Sequence, residues 1–106
     1  MQSRFTSNHF TDSEGNPAGG TTYGQGFAIG WQNGPLGRGE DRQAPNGAFV
    51  EDIIAVALDR LEFYQQSKFN CLENALAIDH LQDALSELRS RTKSRESRKV
   101  EGTHAV

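Results

Sequence analysis

The segment PNGAFVEDIIAVALDRLEFYQQS, Pro45–Ser67, has apolar residues that recur at helical spacing over most of its length. We predict a helix with Asn46 as its N-cap that runs to about Gln66, since Glu51 and Asp52 lie where the helix dipole favours negative charge. Its apolar side chains occupy more than one stripe of the helix, at positions 49, 50, 53, 54, 56, 57, 58, 61, 63 and 64. A helix of this kind needs packing partners on more than one side.

A second helix is predicted to follow after a turn of only a few residues. It starts near Ser67 or Asn70, and Asn70 with Glu73 has the spacing of a capping box. Leucine and isoleucine then repeat at intervals of three and four, as in a coiled-coil seam, at Ile78, Leu81, Leu85 and Leu88. Because the turn is short, we expect an antiparallel αα-hairpin over residues 46–100.

The glycine-rich residues 1–45 predict a small β element. The stretches GTTYG (20–24) and GFAIGWQNG (26–34) hold strand-forming residues, and the second alternates apolar with small or polar side chains. Gly24 and Gly26 between them indicate a bulge or tight turn. An isolated hairpin is marginally stable, so we expect it to pack on the helical hairpin. The predicted architecture is α+β: one domain over residues 1–106, with a tail at 101–106 and assembly into an oligomer.

The composition narrows the class of protein. The 106 residues carry a formal net charge of −3 and one cysteine, which fits a reducing cytoplasm. No apolar run approaches the roughly 20 residues that cross a membrane, and the start MQSRF lacks the apolar core of a signal peptide. The charge is uneven, since residues 89–106 sum to +4 while residues 1–66 sum to −4. Cationic character is therefore confined to the carboxyl-terminal end.

Nothing in the pattern indicates catalysis, a cofactor or a metal ion. The three histidines, His9, His80 and His104, lack metal-ligand spacing to one another or to other ligand types. Cys71 has no histidine close to it in sequence. The glycine-rich GPLGRG (34–39) lacks the Lys-Ser/Thr pair of a phosphate-binding loop, so a turn is the simpler interpretation. We therefore predict a binding protein rather than an enzyme.

The basic stretch LRSRTKSRESRK, residues 88–99, extends the second helix. Arg91, Arg95 and Arg98 fall on one face of a continued helix, and Arg95 shares heptad register with Leu81 and Leu88. On one interpretation these side chains are solvated and complement the helix dipole. On the other, guanidinium groups in the seam register clamp phosphates.

An aromatic pair and an amide flank the predicted turn. Phe63, Tyr64 and Asn74 together provide a base-stacking surface and a group that can read a base edge. Asn74 and Arg91 are seventeen residues apart on one helix, roughly 25 Å at 1.5 Å per residue. One small ligand cannot touch both within a chain. If they share a ligand, the two halves come from different subunits.

The chain resembles the Thoeris anti-defence sponge family of phages. The resemblance covers about residues 20–106 and rests on GFAIGWQNGPLGRG, PNGAFVEDII, RLEFYQQSKFNCLEN and RTKSRESRKVEGTHAV in this order. Members share a helical-hairpin domain with the phage anti-CBASS sponges. The resemblance implies a non-enzymatic oligomer, typically a hexamer, that sequesters cyclic nucleotide immune signals in the cytoplasm of the infected bacterium. The Thoeris branch binds cyclic ADP-ribose isomers, and some members also hold cyclic di- or trinucleotides at separate sites.

The resemblance also implies roles for particular residues. The family pocket has an aromatic residue before the turn, an asparagine ten residues later and two arginines on the second helix, a spacing that Tyr64, Asn74, Arg91 and Arg95 reproduce. It implies that Tyr64 stacks on adenine, that Asn74 hydrogen-bonds the ligand and that the arginines hold the pyrophosphate. Many members have phenylalanine at the position of Tyr64, which leaves Phe63 as an alternative stacking residue. The glycine-rich segment is expected to contribute Arg38 or Arg42.

Two other functions compete with a sponge. In a nucleic-acid-binding regulator, residues 89–99 would contact phosphates, but such domains are strongly basic and this chain is acidic. A hydrolase that degrades the signal would need a catalytic constellation, which the pattern lacks. We therefore expect no nucleic acid and no membrane among the partners.

Overall fold

A computed structural model describes residues 4–106, whose contacts divide them into two units. One unit holds residues 4–49 together with 100–106, and the other holds residues 50–99. The fold is α+β, as predicted. Met1–Ser3 lie outside the described residues. They belong to the segment MQSRF, on which the prediction that there is no signal peptide rests. The elements in chain order are β1 (Phe5–Thr11), β2 (Pro17–Gly24), β3 (Phe27–Asn33), a 3-10 turn (Gly39–Asp41), α1 (Val50–Gln65) and α2 (Leu72–Ser97).

The first unit is built on a three-stranded antiparallel sheet in the order β1-β2-β3. The predicted hairpin is β2 and β3, in which Gly24 pairs with Phe27 and Gly26 takes a φ of +86° in the turn between them. Glycine is suited to this turn because it has no side chain to clash at positive φ. The strand β1 was not predicted, because every one of its residues except the half-buried Ser7 is exposed. Its sequence therefore carries no alternation of buried and exposed side chains.

An aspartate organises the turn between β1 and β2. The Asp12 Oδ1 atom accepts hydrogen bonds from the backbone N–H groups of Glu14 and Asn16, both at 2.9 Å. The Asn16 N–H is the main cause that lowers the pKa of the Asp12 carboxyl, because it stabilises the ionised form. The turn therefore gains stability from ionised Asp12 above the ordinary carboxyl pKa, and this contribution disappears as the pH falls through the lowered value.

A buried hydroxyl ties the three strands together. Thr22 on β2 is only 9% exposed, and its Oγ1 atom accepts a hydrogen bond of 2.8 Å from the indole Nε1 of Trp31 on β3. The hydroxyls of Thr22 and Ser7 on β1 also share a hydrogen bond of 2.8 Å. Thr22 on the central strand thus bonds side chains from both neighbouring strands.

The outer edge of β3 is covered by the residues that precede α1. The backbone N–H of Ala48 donates to the Gly30 carbonyl at 2.7 Å, and the side-chain amide of Asn46 bonds both the N–H and the carbonyl of Asn33. The prediction that Asn46 is the N-cap of the first helix is therefore wrong, and α1 begins at Val50. The backbone N–H groups of Asn46 and Gly47 donate to the Gln32 side-chain oxygen at 2.9 and 3.3 Å, and Ala48 forms an isolated bridge with Trp31, so the helix starts only after these residues.

The second unit is the predicted helical hairpin. Its buried core consists of Leu58 on α1 and Leu85 on α2, which are 8% and 7% exposed. The other predicted seam residues, Ile78, Leu81 and Leu88, are half-buried. Neither α1 nor α2, which are the α-helices of residues 4–106, has an apolar run long enough to cross a bilayer.

The turn of the hairpin is closed by a glutamine rather than by a capping box. The predicted N-cap, Asn70, is wrong by one residue, because α2 begins after Cys71, whose side chain forms no capping hydrogen bond. Instead, the side-chain amide of Gln65 donates to the Cys71 carbonyl at 3.1 Å and accepts from the Cys71 N–H at 3.0 Å. Asn70 uses its own amide to bond the Ser67 carbonyl at 2.9 Å.

We predict that Thr22→Val lowers the free energy of unfolding of the sheet by about 1–2 kcal/mol, because the Trp31 indole N–H and the Ser7 hydroxyl lose their partner. Trp31 is the only tryptophan of the chain, so its fluorescence reports the loss of the sheet during urea unfolding. The matched control is Thr21→Val, since Thr21 is the exposed neighbour on the same strand. Equal midpoints for the two variants would contradict the proposed role of the hydroxyl.

Candidate functional site

The basic stretch continues α2, as the sequence predicted, since the helix extends to Ser97. Arg91 is exposed, whereas Arg95 is half-buried, as expected for a residue in the register of the seam. Thr92, also in the seam register, is half-buried and its hydroxyl lies 3.3 Å from the Leu88 carbonyl. This end of α2 therefore offers guanidinium groups on the helix surface and at the margin of the hairpin core.

The other sequence-predicted residues lie beside the turn of the hairpin. Phe63 is 56% exposed and Tyr64 is half-buried, with their ring centroids 6.0 Å apart and the ring planes tilted by 54°. Asn74, in the first turns of α2, donates its side-chain N–H to the Phe69 carbonyl at 3.3 Å. Its side-chain oxygen accepts no hydrogen bond from residues 4–106. An exposed ring and an amide oxygen that can still accept are thus available at this end.

One continuous helix separates the two groups. The α2 helix runs from Leu72 to Ser97 without interruption, so Asn74 and Arg91 are about 25 Å apart along its axis. Within one chain, the structure therefore does not bring the arginines to the aromatic pair. The hairpin carries two half-sites: an aromatic half (Phe63, Tyr64 and Asn74) and a cationic half (Arg91 and Arg95).

A groove at the cationic end was not predicted. It has a volume of about 390 Å³ and lies between the first turns of α1 and the second half of α2. Two acidic side chains face it from α1, and two basic side chains and one acidic side chain face it from α2. The sequence signal that could have predicted this groove is the helical spacing of its lining residues on α2. The lining residues are Glu51, Asp52, Ala55, Leu85, Arg89, Thr92, Lys93 and Glu96.

Arg38 and Arg42, the candidates from the glycine-rich segment, bind the carboxyl-terminal residues of the chain. The Arg42 guanidinium holds the Glu101 carboxylate with two hydrogen bonds of 2.6 and 3.0 Å, and Arg38 Nη1 donates to the Glu101 backbone carbonyl at 2.9 Å. The Gly37 N–H also donates to the Gly102 carbonyl at 2.8 Å. The predicted tail is thus fastened to the glycine-rich segment, a contact that no local sequence pattern indicates.

Comparisons with known proteins agree with the fold. The family described as Acb2/Tad1, hairpin domain, matches residues 24–93, which include the aromatic half and Arg91 but not Arg95. The chain is also similar to a curated protein named Thoeris anti-defense 1, from Bacillus phage SBSphiJ7. The two are 46% identical over 76 residues, which are 72% of this chain and 51% of the phage protein. The match thus spans about half the length of that curated relative.

We predict that Gly102→Ala releases the carboxyl-terminal residues from the glycine-rich segment. Gly102 has a φ of +80°, and an added Cβ would lie 2.3 Å from the Gly37 carbonyl oxygen. The left-handed backbone alone costs about 1–2 kcal/mol for alanine. Protection of the Gly37 amide against hydrogen exchange, measured by NMR, should fall about tenfold or more.

The control for this prediction is Gly30→Ala, because Gly30 has no positive φ and an added Cβ there meets nothing within 4 Å. Its Gly37 amide should exchange as in the wild type. Full protection of the Gly37 amide in Gly102→Ala would show that the contact tolerates a side chain.

Proposed function

The chain belongs to the Acb2/Tad1 hairpin-domain family, and from this premise we propose that it is a phage anti-defence protein that binds and sequesters a cyclic nucleotide immune signal without degrading it. The proposed ligand class is a cyclic ADP-ribose isomer, which the resemblance to the Thoeris anti-defence sponge family implies, and the similar phage protein is named Thoeris anti-defense 1. A cyclic di- or trinucleotide at a separate site is a second proposed ligand. The protein acts in the cytoplasm of the infected bacterium.

The observation that carries this proposal is the pairing of an aromatic half-site with a cationic half-site on one hairpin. A nucleotide with a pyrophosphate needs both chemistries. An aromatic ring that stacks on a base contributes about 1–3 kcal/mol, and guanidinium groups bind phosphate oxygens in a bidentate manner. The family match includes Tyr64, Asn74 and Arg91. To these residues we assign the stacking contact, the amide contact and a phosphate contact, respectively.

The site requires more than one copy of the chain. Because a straight helix separates the halves by about 25 Å, we assign the aromatic half of each site to one subunit and the cationic half to another. Large apolar side chains on both helices support such an assembly, since Val56 and Leu72 are each 68% exposed and Leu76 is 48% exposed. Association would bury them, and a hexamer is the proposed state.

The proposed chemistry is binding alone. Stacking by Tyr64 or Phe63, an amide contact from Asn74 and phosphate contacts from Arg91 and Arg95 hold a ligand without breaking a bond. Several such contacts in a preformed pocket can reach nanomolar affinity, about −12 kcal/mol.

A retention experiment tests the function. The protein is incubated with cyclic ADP-ribose isomers and, separately, with cyclic di- and trinucleotides, freed of unbound ligand and heat-denatured, and the released compound is identified by mass spectrometry. Intact ligand supports sequestration, whereas a cleaved product indicates a hydrolase. Failure to retain any of these compounds, combined with tight binding of duplex DNA, would favour the nucleic-acid-binding regulator.

We predict that Arg91→Ala and Arg95→Ala each weaken binding of the retained cyclic ADP-ribose isomer by about 10- to 100-fold, since a hydrogen bond to a charged group contributes about 1.5–3 kcal/mol. Isothermal titration calorimetry measures the loss. The control is Arg89→Ala, which removes the same charge from the groove of the hairpin. If Arg89→Ala weakens binding and the other two variants do not, the ligand lies in the groove and the assigned cationic half is wrong.

A subunit-mixing experiment tests the shared site. Tyr64→Ala and Arg91→Ala each damage every site of their own oligomer, so neither should retain ligand. Random mixed oligomers, formed by co-expression, should recover roughly one site in four, because an intact aromatic half then meets an intact cationic half. If both halves came from one chain, mixing would recover none.

A further inference from the structure

Arg60 on α1 is held against both aromatic rings of the proposed site. Its guanidinium carbon lies 5.0 Å from the Phe63 ring centroid and 4.9 Å from the Tyr64 ring centroid. Its Nε–H donates to the Tyr64 hydroxyl oxygen at 3.1 Å. The three residues lie at spacings of three and four on one helix, which places their side chains side by side. The guanidinium thus contacts both rings, whose planes are tilted by 54°.

The charge of Arg60 is not neutralised by the helix that carries it. Arg60 is the only cation of α1, which also contains Glu51, Asp52, Asp59 and Glu62. Despite these neighbours, Arg60 forms no ion pair with any carboxylate among residues 4–106. It contacts the π faces of the rings instead, an interaction that orients a guanidinium but leaves its charge uncompensated.

Most of the hydrogen-bonding capacity of Arg60 is also unused. A guanidinium has five N–H donors, and Nε–H is the one that bonds a partner within the described part of the chain. The two Nη groups are therefore available to an acceptor from outside the chain. Their fork geometry matches that of a phosphate group.

We propose that Arg60 is a further ligand-binding residue, which donates its Nη hydrogen bonds to a phosphate of the nucleotide whose base stacks on the aromatic half. This inference rests on the proposed function and adds a cation to the half-site that otherwise has only rings and an amide. The guanidinium carbon lies about 5 Å from both ring centroids, so the cation is beside any base that stacks on these rings. The phosphates are then held from both subunits, by Arg60 on one side and by Arg91 and Arg95 on the other.

Tyr64 acquires a second task in this arrangement. Its ring stacks on the base, while its hydroxyl fixes the orientation of Arg60 through the bond to Nε. A phenylalanine at this position would keep the ring but lose that bond. The Tyr64 hydroxyl therefore contributes to ligand binding indirectly, because it orients the guanidinium that contacts the ligand.

The test compares Arg60→Gln with Lys68→Gln. Lys68 is a second cation near the turn, but its ammonium lies 5.3 Å from the ring of Phe69, outside the proposed site. Affinity for a cyclic ADP-ribose isomer is measured by calorimetry over a range of salt concentrations. We expect Arg60→Gln to weaken binding by about 10- to 100-fold and to flatten the salt dependence, because a charge-assisted contact to phosphate is lost. Lys68→Gln should bind like the wild type.

Two milder variants separate the parts of the proposal. Arg60→Lys keeps the charge without the planar fork and should lose less affinity than Arg60→Gln. Tyr64→Phe should lose still less, with the salt dependence largely kept. Circular dichroism verifies that each variant retains its helices.

The outcomes distinguish this inference from the proposed function. If the wild type retains the isomer and Arg60→Gln binds it equally well, Arg60 is not part of the site and the sponge function is unaffected. If Arg60→Gln weakens binding but leaves the salt dependence unchanged, Arg60 only positions the rings and the phosphate contact is wrong. If the wild type retains no isomer, the proposed function and this inference both fail.

Discussion

The length of α2 is the constraint on which the arrangement of the hairpin depends. Its 26 residues span roughly 39 Å as a helix, and no break brings one end back toward the other. Groups near Asn74 and groups near Arg91 therefore belong to opposite ends of the second unit. A ligand smaller than this distance meets both ends only where two chains lie side by side. The geometry of the helix thus connects the proposed ligand site to the assembly of the protein.

The packing of the hairpin favours the same assembly. A fifty-residue unit that buries Leu58 and Leu85 and leaves Val56 and Leu72 largely exposed has a thin core. Burial of apolar area contributes about 25 cal/mol per Å², so association offers this unit stability that it lacks alone. Ligand binding and association are then linked in the proposed site: a ligand that bridges two chains stabilises their contact by the same free energy with which it binds.

Local patterns predicted much of this fold, and tertiary contacts account for what they missed. The helical hairpin and the β2–β3 pair were recognisable because apolar spacing is a property of the local chain. The strand β1 lacks such spacing because it buries almost nothing. Asn46 has a side chain typical of an N-cap, but its amide bonds the carbonyl of Asn33 on β3. At the start of α2, Gln65 from the end of α1 bonds Cys71, so Asn70 does not form the predicted cap. For the proposed site, the sequence and the family resemblance offered six residues: Arg38, Phe63, Tyr64, Asn74, Arg91 and Arg95. The proposed role of Arg60 follows only from where its guanidinium lies.

The distribution of cations is compatible with the proposed binding of a small anionic ligand by an acidic chain. Arg42 forms an ion pair with Glu101, so part of the positive charge of the chain contributes to its structure. Arg60 and Arg91 lie at opposite ends of the hairpin, and residues 1–66 sum to −4 while residues 89–106 sum to +4. A long duplex needs many phosphate contacts at once, which a chain with a net charge of −3 disfavours. In the proposed site, a small cyclic nucleotide would touch only the assigned cations, amide and aromatic rings, so the net charge of −3 disfavours nucleic acid without disfavouring this ligand.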